Sequence, residues 1–352
     1  MTEDGHAVAQ YGFSSHNTFF FRVKNITPDR SAALVIRNKV HLKHGNVLMS
    51  NRLGRFLLLC LAIRLLSLAS PACGDEPVKR TEDVVYGRKA GMALTLDVFQ
   101  PAKPNGSGLL FLVNGGWLSS KSTPLMVTIR PDDYRVFLER GYTVFAVVTS
   151  SQPKFTIAEE IDDVLRSVRF VRRNAGHYGV DPQRLGVLGS SSGGHLTLSI
   201  AARGGPGQSD SPDPVERESS AVQAATCFFP PTDFLNYGSV GVNGAGVGPL
   251  APLQVAFGPL ALTEAGREQL GREISPINYV TKKLPPTLII HGDQDEVVPL
   301  QQSESFVKKA TDAGAKNVEL IVRAGKGHGW GDFWKSEEDL NAFADWFDRH
   351  LK

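Results

Sequence analysis

Apolar and polar positions follow two different periods between residues 82 and 352, and each period marks a kind of element. Residues 109–113, 142–148, 185–188, 221–229 and 287–290 are largely continuous apolar runs. Runs this short, rich in Val, Ile, Leu and Phe, predict strands buried on both faces, as in a parallel sheet. Residues 83–86 and 94–99 read instead as half-buried strands. They predict a leading antiparallel hairpin that turns through residues 87–91. A further strand is expected at 318–322.

Between these runs the period changes to that of a helix. Ile157, Ile161, Val164, Leu165, Val168 and Val171 recur at spacings of three and four and form one apolar face. Glu159, Glu160, Asp162, Asp163, Arg166, Arg169, Arg172 and Arg173 fill the rest, and are read as a solvated helix surface. Helices are also expected near 133–140, 303–313 and 337–351. Strand and helix alternate throughout, which predicts an α/β fold: a mostly parallel, doubly wound sheet of about eight strands with helices on both faces. Residues 230–280 interrupt the alternation. They are glycine-rich at first and then modestly helical, and are expected to form a cap or lid that shapes a substrate pocket.

Candidate chemistry enters at Gly189-Ser190-Ser191-Ser192-Gly193-Gly194. A strand run precedes it, and His195-Leu196-Thr197-Leu198 opens a helix after it. Gly-x-Ser-x-Gly between strand and helix is a nucleophile elbow. The turn is so sharp that Gly189 and Gly193 must lack a Cβ, and the frame selects Ser191 among three adjacent serines. A serine hydroxyl needs a base, and the base needs an orienting acid. In this architecture these follow the serine in the order acid, then histidine. His291-Gly292-Asp293-Gln294-Asp295 follows the 287–290 strand, and Gly327-His328-Gly329-Trp330 follows the last one. Asp295 is taken as the acid because it sits deeper in its loop, while Asp293 is expected to bond the loop's own backbone. His328 is taken as the base. His195 is read as locally packed, His291 as a buried structural histidine, and His177 and His350 as surface residues. Asn114-Gly115-Gly116-Trp117 ends the 109–113 strand, where two glycines let backbone amides face a ligand as part of an oxyanion hole. No His-x-x-x-His or cysteine cluster occurs in this region, so neither a catalytic metal nor a cofactor is expected.

Charge changes the picture at the N-terminus alone. The chain has 352 residues and a formal net charge of +2, but residues 1–72 hold nine Lys/Arg against three Asp/Glu. The remainder carries 29 basic and 33 acidic residues, net −4, which gives no footprint for nucleic acid. Residues 49–55 are basic, 56–69 apolar, and Ser70-Pro71-Ala72 small: the parts of a signal peptide. Arg64 interrupts an apolar run already short for a membrane span. Residues 1–48 carry no motif and are expected to be an upstream, disordered extension, with Met49 the start and 73–352 the exported catalytic domain. A lipid anchor on Cys73 is the less favoured outcome. Of the three cysteines only Cys227 lies inside the globular region, so no disulfide framework is expected there.

These motifs, spanning residues 82–352, resemble the α/β-hydrolase superfamily. They are most similar to bifunctional feruloyl/acetyl-xylan esterases, near the hormone-sensitive-lipase-like carboxylesterases. The supporting stretches are Asn114-Gly115-Gly116-Trp117, Asp181-Pro182-Gln183-Arg184, residues 189–196, residues 291–299 and Gly327-His328-Gly329. The resemblance implies Ser191 as nucleophile, Asp295 as acid and His328 as base. It implies an oxyanion hole from the amides of Ser192, Gly116 and Trp117, and hydrolysis of a carboxylic ester, with an acetyl or feruloyl ester of a carbohydrate as the candidate substrate. Asn114 and Trp117 depart from the family's usual His-Gly-Gly followed by Gly or Ala, and Ser190 and Ser192 from the Asp or His and the Ala common in its elbow. Trp117, Phe228, Phe229 and Trp330 are expected to line the substrate pocket. A peptidase resembling the catalytic domain of prolyl oligopeptidase is the alternative chemistry. A non-catalytic binding protein on the same scaffold is the alternative class.

Overall fold

The first two strands, β1 (Lys79–Lys89) and β2 (Met92–Gln100), form the antiparallel hairpin that their alternation predicts, closed by a tight turn at Ala90-Gly91. The strands are longer and the turn tighter than expected, because register shifts between Thr81 and Val84 and between Val85 and Gly87 absorb irregularities inside β1. This is a computed structural model, and it describes residues 78–121, 131–331 and 333–352. All of these fall within one unit, Cys73–Lys352. The upstream extension, the leader at 49–72 and Cys73 lie outside the described residues.

Six further strands follow: β3 (Gly108–Leu112), β4 (Thr143–Val148), β5 (Leu185–Ser190), β6 (Ala224–Phe228), β7 (Thr287–Gly292) and β8 (Val318–Arg323). The sheet order is β1-β2-β4-β3-β5-β6-β7-β8. From β4 to β8 every pairing is parallel, while β2 meets β4 antiparallel. The runs that read as continuous apolar segments are the central strands, and β3, β5, β6 and β7 are buried at every position. The exposed residues of β8 match its place at the edge.

Helices α1 (Arg135–Glu139), α2 (Ile157–Arg173), α3 (Ser192–Arg203), α4 (Gln254–Phe257), α5 (Glu264–Ile274), α6 (Gln301–Asp312) and α7 (Glu337–His350) complete the fold. The apolar stripes of α2 and α3 join one core, and α1 and α7 bury theirs on the opposite face. This is the expected α/β-hydrolase fold. Residues 230–280 do form an inserted segment, made of α4, α5 and short 3-10 turns. Its Phe234 and Phe257 pack into the α2–α3 core.

One reading of α2 is corrected. Glu160, Asp163 and Arg172 are buried, not solvated. The helix is flanked as well as backed, so polar groups from other elements close over its sides. Asp163 takes the Lys89 ammonium at 2.9 Å and the Ser150 amide at 3.1 Å, and Arg172 donates to backbone carbonyls of Pro182, Ser219 and Ala221.

Candidate active site

All five strands from β3 through β8, apart from β4, end near one another on the same edge of the sheet, and each delivers one part of a single site. The chain leaves β3 to pair β4 on one side and later returns to pair β5 on the other. The gap beyond the ends of β3 and β5 is therefore the switch point at which open α/β sheets bind ligands.

Ser191 follows β5 directly and caps α3 with φ 52° and ψ −120°. A non-glycine residue there costs roughly 1–3 kcal/mol, so surrounding contacts must hold it. Its amide donates to Phe228 O at 3.0 Å, and its carbonyl accepts from the His195 amide at 2.9 Å. Gly189 has no room for a side chain, since a Cβ would lie 2.5 Å from Gly193 O. These restraints hold the hydroxyl out at the strand end, with 8% of the residue exposed.

The Ser191 Oγ lies 2.9 Å from His328 Nε2, and His328 Nδ1 lies 2.8 Å from Asp295 Oδ2. An ionised Asp295 only accepts, so Nδ1 carries the proton. Nε2 is then free to accept from the Ser191 hydroxyl. Asp295 Oδ1 accepts from the amides of Val297 at 3.0 Å and Val298 at 2.8 Å. Burial alone would raise its pKa, but hydrogen bonds from His291 and His328, the His328 charge and the Val298 amide outweigh burial and hold it at about 2. The loop after β8 is itself anchored. Asp293 Oδ1 accepts from the Gly325 amide at 2.7 Å, and Gln294 N donates to Lys326 O at 2.9 Å. Asp293 was expected to bond its own loop. It instead ties that loop to the one carrying His328.

Of the remaining histidines, His195 was expected to be held locally and is held instead by residues 78 and 79 positions away. His195 is fully buried: Nε2 donates to Ile274 O at 2.7 Å, which leaves Nδ1 to accept from Trp117 Nε1 at 3.4 Å. Burial is the main cause that lowers its pKa to about 4. His291 is also buried, between Ser303 Oγ at 2.7 Å and Val298 O at 2.8 Å. Its Nε2 further approaches Asp295 Oδ2 at 3.3 Å, so it braces the loop of the acid as well as filling the core. Sequence reasoning missed this because nothing in the spacing of His291 and Asp295 shows that the loop folds back.

After β3, the carbonyls of Gly115, Gly116 and Trp117 are all engaged. They accept from Leu118 N at 3.0 Å, Gln152 Nε2 at 2.6 Å and Gln152 N at 3.2 Å. In a trans peptide the next amide points opposite its carbonyl, so the Gly116 and Trp117 N–H groups turn away from these partners. Among the described residues neither amide is paired with a backbone carbonyl. Asn114 O and Leu112 O lie 3.2 Å from where a Gly193 Cβ would stand, so this loop abuts the start of α3.

The expected pocket residues need correction. Phe228 is wholly buried against Trp330, Phe333, Trp334 and Phe343 on the α7 side of the sheet, because alternation in β6 turns it away from the site. Phe229 is 1% exposed, and its ring meets the His328 ring edge-on, with the ring centres 4.7 Å apart. It packs against the histidine, with almost no surface of its own exposed. Trp330 is partly exposed and packs on both phenylalanines. Trp117 is buried as well, between His195, Phe234 and Phe257. Among the described residues no group of three or more His, Cys, Asp or Glu side chains is placed to hold a metal ion, and no helix is long and apolar enough to cross a membrane.

Known proteins share this arrangement of elements. The profile of the BD-FAE family matches residues 96–310. Esterase LipQ of Mycobacterium tuberculosis is 29% identical over 246 residues, covering 68% of this chain and 54% of its own length. The probable carboxylic ester hydrolase LipM of the same organism is 28% identical over 243 residues, covering 64% and 50%. The chain thus spans about half the length of these curated relatives. Among solved structures, a truncated carbohydrate esterase from gut microbiota superposes with a TM-score of 0.64 at 26% identity, covering 79% of this chain and 98% of that one.

Proposed function

The chain belongs to the BD-FAE family, and we propose that it hydrolyses carboxylic esters through an acyl-enzyme formed on Ser191. The observation that carries this reading is the unbroken Ser191–His328–Asp295 relay, at 2.9 and 2.8 Å. His328 Nε2 takes the hydroxyl proton as Ser191 Oγ attacks the ester carbonyl, and the same proton then passes to the departing alcohol. Asp295 holds the tautomer and stabilises the imidazolium. Its depressed pKa keeps it ionised throughout. The amides of Ser192, Gly116 and Trp117 receive the oxyanion, where one donor is worth roughly 3 kcal/mol. Water repeats the sequence and releases the acid. These steps need no cofactor.

Esters of carbohydrates are the proposed substrate class, with support from the carbohydrate esterase that superposes on the chain. Export fits such a substrate and rests on the leader pattern at residues 49–72. A panel of acetylated sugars, feruloyl esters and p-nitrophenyl esters, run against aminoacyl-proline amides, tests the reading. Ester turnover that vanishes in Ser191→Ala supports it. Faster amide than ester turnover, or undiminished activity in that variant, refutes it.

A further inference from the structure

Glu160 is an acid in an expensive place. It lies on α2, wholly buried. Its Oε2 accepts from Asn114 Nδ2 at 2.8 Å and lies 3.3 Å from Thr149 Oγ1. Its Oε1 is buried and has no hydrogen-bond partner among the described residues. Lys89 offsets its charge only in part, being itself bound to Asp163 and to Glu159 O. A carboxylate would suffer in such surroundings, whereas a carboxylic acid leaves one oxygen only mildly unsatisfied. Burial, and then the charge of Asp163, raises the Glu160 pKa well above the usual carboxylate range.

Asn114 is the node that this acid holds. Its carboxamide makes three bonds with two separate parts of the site. Oδ1 accepts from Ser192 Oγ at 2.7 Å, and Nδ2 donates to Glu160 and, at 3.2 Å, to Thr149 Oγ1. Thr149 donates its own hydroxyl proton to Ser150 O at 2.8 Å, so it presents a lone pair to Asn114. Two acceptors on one side and a hydroxyl donor on the other fix which way the amide faces. Asn114 begins the loop that carries Gly116 and Trp117, and Ser192 is the first residue of α3 after the nucleophile. One side chain therefore sets the spacing between the two halves that donate to an oxyanion.

We propose that Glu160 is a positioning residue of this site: through the Asn114 carboxamide it locks the loop after β3 to the start of α3 at the separation the oxyanion requires. The inference rests on the acyl-enzyme reading above. It extends that reading to a residue two elements away in sequence and out of reach of substrate. Misplacement by a fraction of an ångström weakens donors in the transition state while leaving ground-state binding nearly intact.

The test compares Glu160→Leu, Glu160→Gln, Asn114→Ala and Ser191→Ala on p-nitrophenyl acetate, with an alkyl boronic acid as probe of the tetrahedral state. Glu160→Leu is expected to lower kcat roughly tenfold to a hundredfold, with KM within about threefold, and to weaken boronate inhibition by a similar factor. Glu160→Gln keeps an acceptor for Asn114 and is expected to restore most of that loss. The effects of Glu160→Leu and Asn114→Ala should not add, because both cut one chain of bonds. If Glu160→Leu does not fold, Asn114→Ala carries the same kcat and boronate expectations. A Glu160→Leu enzyme with unchanged kcat, or one that keeps wild-type boronate affinity while turnover falls, overturns the proposal. Residual turnover in Ser191→Ala overturns the underlying acyl-enzyme reading instead, whatever the Glu160 variants do.

Discussion

Lowering the pH from 7 to 5 is expected to destabilise the fold through His195 by about 2 kcal/mol. His195 is buried with Nε2 donating to Ile274 O and Nδ1 accepting from Trp117, so a second proton would have to displace the indole donor. Its folded pKa is about 4, lowered first by burial and further by Arg203, against an ordinary 6.5. Between those two values the unfolded chain holds a proton that the folded one refuses. Stability therefore rises with pH across the window and is lost as pH falls from 6.5 towards 4. Each unit of the difference is worth about 1.4 kcal/mol, so the full loss approaches about 3.5 kcal/mol, with about 2 kcal/mol gone by pH 5. Urea unfolding at pH 7, 6 and 5, for wild type and His195→Gln, isolates the contribution, since the other histidines titrate in both. The variant should start less stable and lose less as the medium acidifies. Parallel losses in the two proteins would show that His195 is not held neutral by the fold.

Trp117→Phe removes the donor that occupies His195 Nδ1. It should raise the His195 pKa and shrink the same acid loss, measured in the same titration. Asp295 contributes in the same sense but in a lower window: its pKa of about 2 lies below the unfolded value, so its contribution is complete above about pH 4 and disappears only as pH falls through 2. Any loss of activity between pH 4 and 6 therefore belongs to a group other than Asp295, and Asp295→Asn should lower kcat about 10⁴-fold at pH 7 by favouring the wrong tautomer of His328. Gly189→Ala should cost roughly 1–3 kcal/mol in urea unfolding, because the new methyl meets Gly193 O at 2.5 Å and backbone must move. An unchanged midpoint would mean that the elbow is looser than its geometry indicates.

The parts of the fold that were legible in the sequence are those where one physical demand dominates. Strands β3, β5, β6 and β7 are buried on both faces, and such burial leaves a continuous apolar run whatever else the strand does. The side chains of Ser191, Asp295 and His328 were legible by position, since each follows a strand that the sheet turns towards the same edge. The flank of α2 was not. Glu160 and Asp163 sit beside an apolar stripe of ordinary helical spacing, and their partners Asn114 and Ser150 lie 46 and 13 residues away. Nothing local distinguishes a glutamate facing water from one facing Asn114. The burial of Phe228 was open to a closer reading, because period-two alternation in β6 puts it opposite Cys227, on the α7 face.

Trp117, Ser191 and Phe229 share a feature that ordinary propensity argues against. Among the described residues six non-glycine residues adopt positive φ, and these three stand just beyond β3, β5 and β6. The other three, Asp83, Ala90 and Asn317, lie away from the site in β1, the first turn and the approach to β8. Strain of roughly 1–3 kcal/mol at each of three neighbouring strand ends would be relieved by glycine. Glycine would also remove the Ser191 hydroxyl, the Phe229 ring against His328 and the Trp117 indole against His195. The side chains are thus kept where the backbone least favours them because the fold around each holds it: Phe228 O binds the Ser191 amide, Ile290 O the Phe229 amide and Gln152 the Trp117 carbonyl. In a sequence this conflict is silent, since a residue forced into the left-handed region looks like any other until the strand ends that force it are brought together.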